Sequence, residues 1–203
     1  PSGTFGSVEA RGPAPGSREL AVLAPDKPDD KEVNAVVLTG GSAFGLATAD
    51  GVMRYLAERG IGHPTPIRPV PIVPAAVVFD LWPGRSFTPD AAMGYAACEA
   101  AAGYEGEIAQ GNIGVGAGVL VGKWAGFQYM MKGGFGVASL REAVVEVAAA
   151  AVVNAVGDVV NADGTVLAGA RDPEGGWMAE RNPLRFIDET RLPLPGTNTA
   201  ASA

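Results

Sequence analysis

The chain has 203 residues, 47% hydrophobic and 18% charged, which supplies one globular domain with a sizeable core and excludes an intrinsically disordered chain. Its formal net charge of -7, from 22 acidic against 15 basic side chains, argues against nucleic acid and against an anionic membrane surface as partner. One cysteine, Cys98, and one histidine, His63, leave disulfide frameworks, Cys-x-x-Cys sites and His-based hydrolase or zinc chemistry without their parts.

Residues 1–30 are rich in Gly, Pro and charge and read as successive turns, with Arg11 and Arg18 solvated and a short strand at most over Glu19–Leu23. From Val33 to Thr39 the run is apolar and β-branched, which predicts a buried strand. Gly40-Gly41-Ser42-Ala43-Phe44-Gly45 follows as a glycine elbow. A helix then runs to Arg59, with Ser42 as its cap, Phe44, Ala49, Val52 and Leu56 on its apolar face and Gly60 as its stop. Gly40, Gly41 and Ser42 admit three readings: an anion-binding elbow, close packing of helix on strand, or the wall of a substrate pocket. The elbow is neither G-x-G-x-x-G nor a P-loop, which disfavours a nucleotide. His63, between Gly62 and Pro64, reads as a loop residue.

Ala75–Leu81 predicts an apolar strand, with Asp80 placed to cap a turn. Thr88-Pro89-Asp90 opens a second helix reaching about Ala102, in which Gly94 permits close packing and Cys98 sits among alanines as a small core residue. Between Gly111 and Gly122 glycine alternates with apolar residues, a pattern suited to backbone that approaches another layer. Lys123 ends this run and is either solvated or held beside a nucleophile. Lys132–Leu140 and Val144–Val153 predict strands; the second is ambiguous, since alanine favours helix and valine favours strand. Asn154 closes that apolar run as either a turn former or an amide donor to an oxyanion. Asn161–Gly164 predicts a hairpin turn, and residues 171–195 a mobile linker.

The linker ends in Pro195-Gly196-Thr197-Asn198-Thr199. A hydroxyl directly after a Gly/Pro turn stands beside the carbonyl of its own preceding residue, so the Asn198–Thr199 bond is a candidate for self-cleavage. Thr199 would then carry a free α-amine, titrating near pH ~7.7–8.0, that can serve its hydroxyl as base.

Thr39-Gly-Gly-Ser-Ala-Phe-Gly, Asp50-Gly-Val-Met, Pro71-Ile-Val-Pro, Gly111-Asn-Ile-Gly-Val-Gly-Ala-Gly, Lys132-Gly-Gly, Asn154-Ala-Val-Gly-Asp and Gly196-Thr-Asn-Thr199, in this order, resemble the DmpA family of autoproteolytic aminopeptidases and amidohydrolases. The resemblance implies an α/β fold, the αββα four-layer sandwich of the DmpA/ornithine acetyltransferase type. It implies residues 1–198 as an α chain and 199–203 as the start of a β chain or an altered tail. Thr199 corresponds to the family's nucleophile, Asn154 to its oxyanion donor, and Lys123 to the active-site lysine of the nylon-oligomer hydrolase branch. Phe79 stands where some relatives carry a tyrosine whose hydroxyl helps stabilise the oxyanion, a bond that phenylalanine cannot donate. The chain ends Ala200-Ala-Ser-Ala203 where the family continues into an apolar strand.

The activity so implied is hydrolysis of a small N-terminal amino-acyl, β-amino-acyl or pantetheine-like amide through an acyl-Thr intermediate. The alternatives are acyl transfer of the ornithine acetyltransferase type and a catalytically inactive homologue. The reading requires no cofactor and no metal. Its expected partners are the C-terminal β chain of the same precursor and further αβ units in a homo-oligomer, with neither nucleic acid nor membrane. No apolar run approaches the ~18 residues of a membrane span, and the expectation is a cytoplasmic protein.

Overall fold

The computed structural model describes residues 4–13, 15–24, 32–82, 87–181 and 201–202. The architecture over these residues is mixed α/β, with few helices and several small sheets. The chain divides into two compact units, 1–77 with 81–107, and 78–80 with 108–203.

In the first unit, β1 (Ser17–Arg18), β2 (Val37–Thr39) and β3 (Ala75–Val77) form a sheet in the order β1-β3-β2, with β2 parallel and β1 antiparallel to β3. Beside it run α1 (Thr48–Glu58) and α2 (Ala91–Ala101). The helical spacing of Ala49, Val52 and Leu56 puts all three in a core with Val73 and Ala75. The two helices approach closely because Gly51 and Gly94 carry no side chain there. A Cβ on Gly51 would strike the Ala91 carbonyl, and one on Gly94 the Thr48 carbonyl. Asp90 caps α2 by accepting from the Met93 N–H at 2.9 Å, which sets Pro89 one residue before the cap.

Several local expectations change. The strands around β2 and β3 are shorter than their apolar runs. Ser42 does not cap α1: a 3-10 turn over Ser42–Ala47 intervenes, and α1 starts at Thr48, whose Oγ1 donates to the Gly45 carbonyl at 2.8 Å. Phe44 therefore leaves the helical stripe and is 70% exposed. Arg18 is not simply solvated; it donates to Asp50 at 2.5 Å.

The second unit contains β4 (Leu120–Val121) paired with β5 (Met131–Lys132), and a long hairpin of β6 (Gly134–Glu142) and β7 (Val145–Val153) in register from Gly134↔Val153 to Glu142↔Val145. Pairing with β6 resolves the Ala/Val ambiguity of β7 in favour of strand, a tertiary override of alanine's preference. The hairpin β8 (Val159–Val160) and β9 (Val166–Ala168) turns at Asn161–Gly164 as the sequence predicts, with the Gly164 N–H donating to the Asn161 carbonyl at 2.9 Å. β10 (Ala201–Ser202) lies antiparallel on the other edge of β7. Ala125, Ala170 and Met178 form a small core with Trp124 and Tyr129. Among the described residues, no helix is long and apolar enough to cross a membrane.

Candidate active site

Lys123 and Asn154 meet because two turns fold against each other. Gly122 adopts φ 71°, a left-handed conformation that turns the chain sharply out of β4 and delivers Lys123 into a short 3-10 turn. Asn154 directly follows β7. The Gly122 N–H donates to the Gly157 carbonyl at 2.9 Å and the Trp124 N–H to the Val156 carbonyl at 3.0 Å, so the lysine turn is zipped to the turn after Asn154.

Both side chains are buried, Lys123 at 1% and Asn154 at 0% exposure. Lys123 Nζ donates to the Asn154 backbone carbonyl at 2.7 Å and to its Oδ1 at 2.8 Å. Oδ1 also accepts from the Leu120 N–H at 3.1 Å, and Nδ2 donates to the Phe79 carbonyl at 2.6 Å. This network leaves one orientation for the amide. The lysine and the Leu120 N–H only donate, so they need the oxygen; the Phe79 carbonyl only accepts, so it needs the nitrogen. Burial lowers the Lys123 pKa from 10.5 to about 8. Roughly a tenth of such a lysine is neutral at pH 7, which lets it accept a proton or, when charged, orient an acyl oxygen.

The structure thus unites three of the residues singled out in the sequence: Lys123, Asn154 and Phe79, the last through its backbone. Gly40, Gly41 and Ser42 stand in the first unit and form an elbow of their own. Gly41 lies at φ 83° and Ser42 at φ 54°, and a Cβ on Gly45 would strike the Gly40 carbonyl, so the elbow is folded tightly on itself. Asn198 and Thr199 lie outside the described residues. Two residues on, Ala201 pairs with Val152 and Ser202 with Ala151. Among the described residues, no group of three or more His, Cys, Asp or Glu side chains is arranged to hold a metal ion.

Sequence reasoning missed the Phe79 carbonyl, and it missed Trp124 and Asp158, whose side chains bond at 2.9 Å beside Lys123. A tryptophan adjoining a buried lysine needs an acceptor for its indole N–H, and Asp158, four residues after Asn154, was the available signal.

Residues 1–179 match the sequence family described as peptidase family S58. The chain is 45% identical over 184 residues to an uncharacterized aminopeptidase of Mycobacterium tuberculosis (strain ATCC 25618 / H37Rv), covering 89% of this chain and 47% of that protein. An uncharacterized aminopeptidase of Mycobacterium leprae (strain TN) is 45% identical over 168 residues, 79% of this chain and 44% of its own length. A 6-aminohexanoate-oligomer endohydrolase of Paenarthrobacter ureafaciens is 34% identical over 179 residues, 84% of this chain and 48% of its own. The chain spans about half the length of these relatives.

Proposed function

The chain belongs to peptidase family S58, the DmpA family, and from that membership we propose that it supplies the lysine and asparagine of an autoprocessed N-terminal-nucleophile amide hydrolase. The observation that carries this reading is the buried Lys123–Asn154 pair at the end of β7, the strand on whose edge β10 lies. Ala201 of β10 pairs with Val152, two residues before Asn154, so the strand that follows the proposed nucleophile in sequence runs beside the strand that leads into the asparagine.

In the proposed processing step the Thr199 Oγ attacks the Asn198 carbonyl carbon, the C–N bond breaks, and the hydroxyl proton passes to the departing nitrogen. Water then cleaves the ester to an Asn198 carboxylate and restores the Thr199 hydroxyl, now beside a free α-amine. Catalysis repeats the attack on a substrate amide: acyl-Thr forms, the amine leaves with the proton, and water releases the acid. The α-amine and Lys123 both titrate near pH 8, so either can take the Thr199 proton. With Phe79 unable to donate a side-chain bond, stabilisation of the oxyanion falls to backbone N–H groups and to the Asn154 amide, one of whose hydrogens already serves the Phe79 carbonyl.

The substrate class is a small amino-acyl, β-amino-acyl or pantetheine-like amide, to which the name of one relative adds oligomers of 6-aminohexanoate. The proposed setting is an αββα sandwich completed by the C-terminal β chain of the same precursor, in a cytoplasmic assembly of αβ units. The test is the intact mass of the complete gene product and of its Thr199→Ala variant. Cleavage after Asn198 in the parent, and a single uncut and inactive chain in the variant, is the expected pair of results; processing of the variant at the same bond would overturn the assignment.

A further inference from the structure

We propose that Asp158, acting through Trp124, is a positioning residue that holds Lys123 against Asn154. This rests on the reading that Lys123 serves the amide-hydrolase site.

Lys123 sits in a three-residue 3-10 turn bounded by Gly122 and Gly126, both with positive φ. Glycine-bounded turns are conformationally permissive, so something else must hold this one. Beyond the Lys123 side chain itself and two backbone bonds, the tie between this turn and the turn after Asn154 is a side-chain bond. Trp124 Nε1 donates to Asp158 Oδ1 at 2.9 Å. The same oxygen accepts the Ala170 N–H at 2.9 Å. Ala170 is fully buried in the core with Ala125 and Met178, and its carbonyl accepts the Met178 N–H at 3.0 Å.

Asp158 therefore joins three pieces of chain: the lysine turn, the asparagine turn and the core segment at Ala170. Its carboxylate is also confined sterically, because a Cβ on Gly169 would collide with it. The geometry of the reacting pair depends on this junction. Lys123 reaches two oxygens of Asn154 at 2.7 and 2.8 Å through a flexible side chain, and that contact persists only while the two turns keep their separation. A shift of about 1 Å in a catalytic group can cost on the order of 10²-fold in rate.

The test uses the complete gene product and three variants, Asp158→Ala, Asp158→Asn and Trp124→Phe. Two readouts are taken: steady-state amide hydrolysis, and acetylation of Lys123 by acetic anhydride followed by peptide mass spectrometry. Asp158→Ala is expected to lower kcat by about 10- to 100-fold with KM changed less than about twofold, and to raise Lys123 acetylation. Asp158→Asn should restore both, since its Oδ1 still accepts from Trp124 and Ala170. Trp124→Phe keeps the ring but loses the indole N–H, and should move both readouts in the same direction as Asp158→Ala. It carries the test if Asp158→Ala does not fold.

Asn behaving like Ala would mean that charge, not positioning, is what Asp158 supplies, and would overturn the inference. So would an unaltered kcat and unaltered Lys123 labelling in Trp124→Phe. The labelling needs no activity. A parent protein that hydrolyses nothing, with acetylation still following the expected order, would sink the hydrolase reading and leave the positioning role standing.

Discussion

A lysine with 1% of its surface exposed carries a titration signature that follows from burial alone. Lys123 has its pKa lowered from 10.5 to about 8, so between those values the unfolded chain holds a proton that the folded chain has released. Stability must therefore rise with pH across that window: the contribution is complete above about 10.5 and lost as pH falls through about 8. Its full size is about 3 kcal/mol. Denaturant unfolding of the parent and of Lys123→Met at pH 8 and pH 10 measures it. The parent should gain stability relative to the variant, and parallel behaviour would refute the buried, shifted lysine. Asn154→Ala removes the Lys123 contact to Oδ1 and leaves the Leu120 N–H and Phe79 carbonyl without that amide, at about 1–3 kcal/mol for each unsatisfied group. Turnover should fall by about 10²–10³ with far less change in KM, the pattern of a group used in the transition state. An unchanged kcat would take Asn154 out of the mechanism.

At the scale of elements, the contact between α1 and α2 rests on two glycines where helix propensity alone would favour alanine. In an open helix Gly→Ala stabilises by about 1 kcal/mol. At Gly94 the added Cβ meets the Thr48 carbonyl, and at Gly51 the Ala91 carbonyl; both are backbone atoms of the facing helix, which cannot rotate away. Gly94→Ala should therefore destabilise, by about 1–3 kcal/mol, the sign opposite to propensity. A denaturation midpoint at or above that of the parent would show that the helices can separate at little cost.

For the whole molecule, the expected behaviour is self-cleavage without dissociation. Leu140, Val145 and Val147, on one face of the β6–β7 hairpin, are 69%, 58% and 61% exposed, and Val144 at its tip 96% exposed. Exposed apolar area of this kind marks a surface that a soluble protein covers. After cutting at Asn198–Thr199 the two pieces should co-elute in native size exclusion and separate only in denaturant. Two independent peaks under native conditions would argue that this chain needs no partner from its own precursor.

The elements were legible in the sequence wherever a local rule applied. The buried face of α1, the start of α2 just after Thr88-Pro89-Asp90, the hairpin turn at Asn161–Gly164 and the strands β6 and β7 all follow from spacing and turn chemistry between near neighbours in the chain, although Asp90 is the cap and Pro89 precedes it instead of opening the helix. The ordered motifs also pointed to the family. Where the elbow after β2 adopts a 3-10 turn, the helical period does not yet apply, and so Phe44 and Ser42 were misplaced. Asn154 and Lys123 could be singled out as residues but not as a pair, because their bond spans 31 positions and the amide's orientation is decided by the Phe79 carbonyl 75 positions away. A lone lysine after a glycine run is ordinarily hydrated. Only the packing of the two turns removes its water, and that burial lowers the pKa of a commonly exposed residue from 10.5 to about 8.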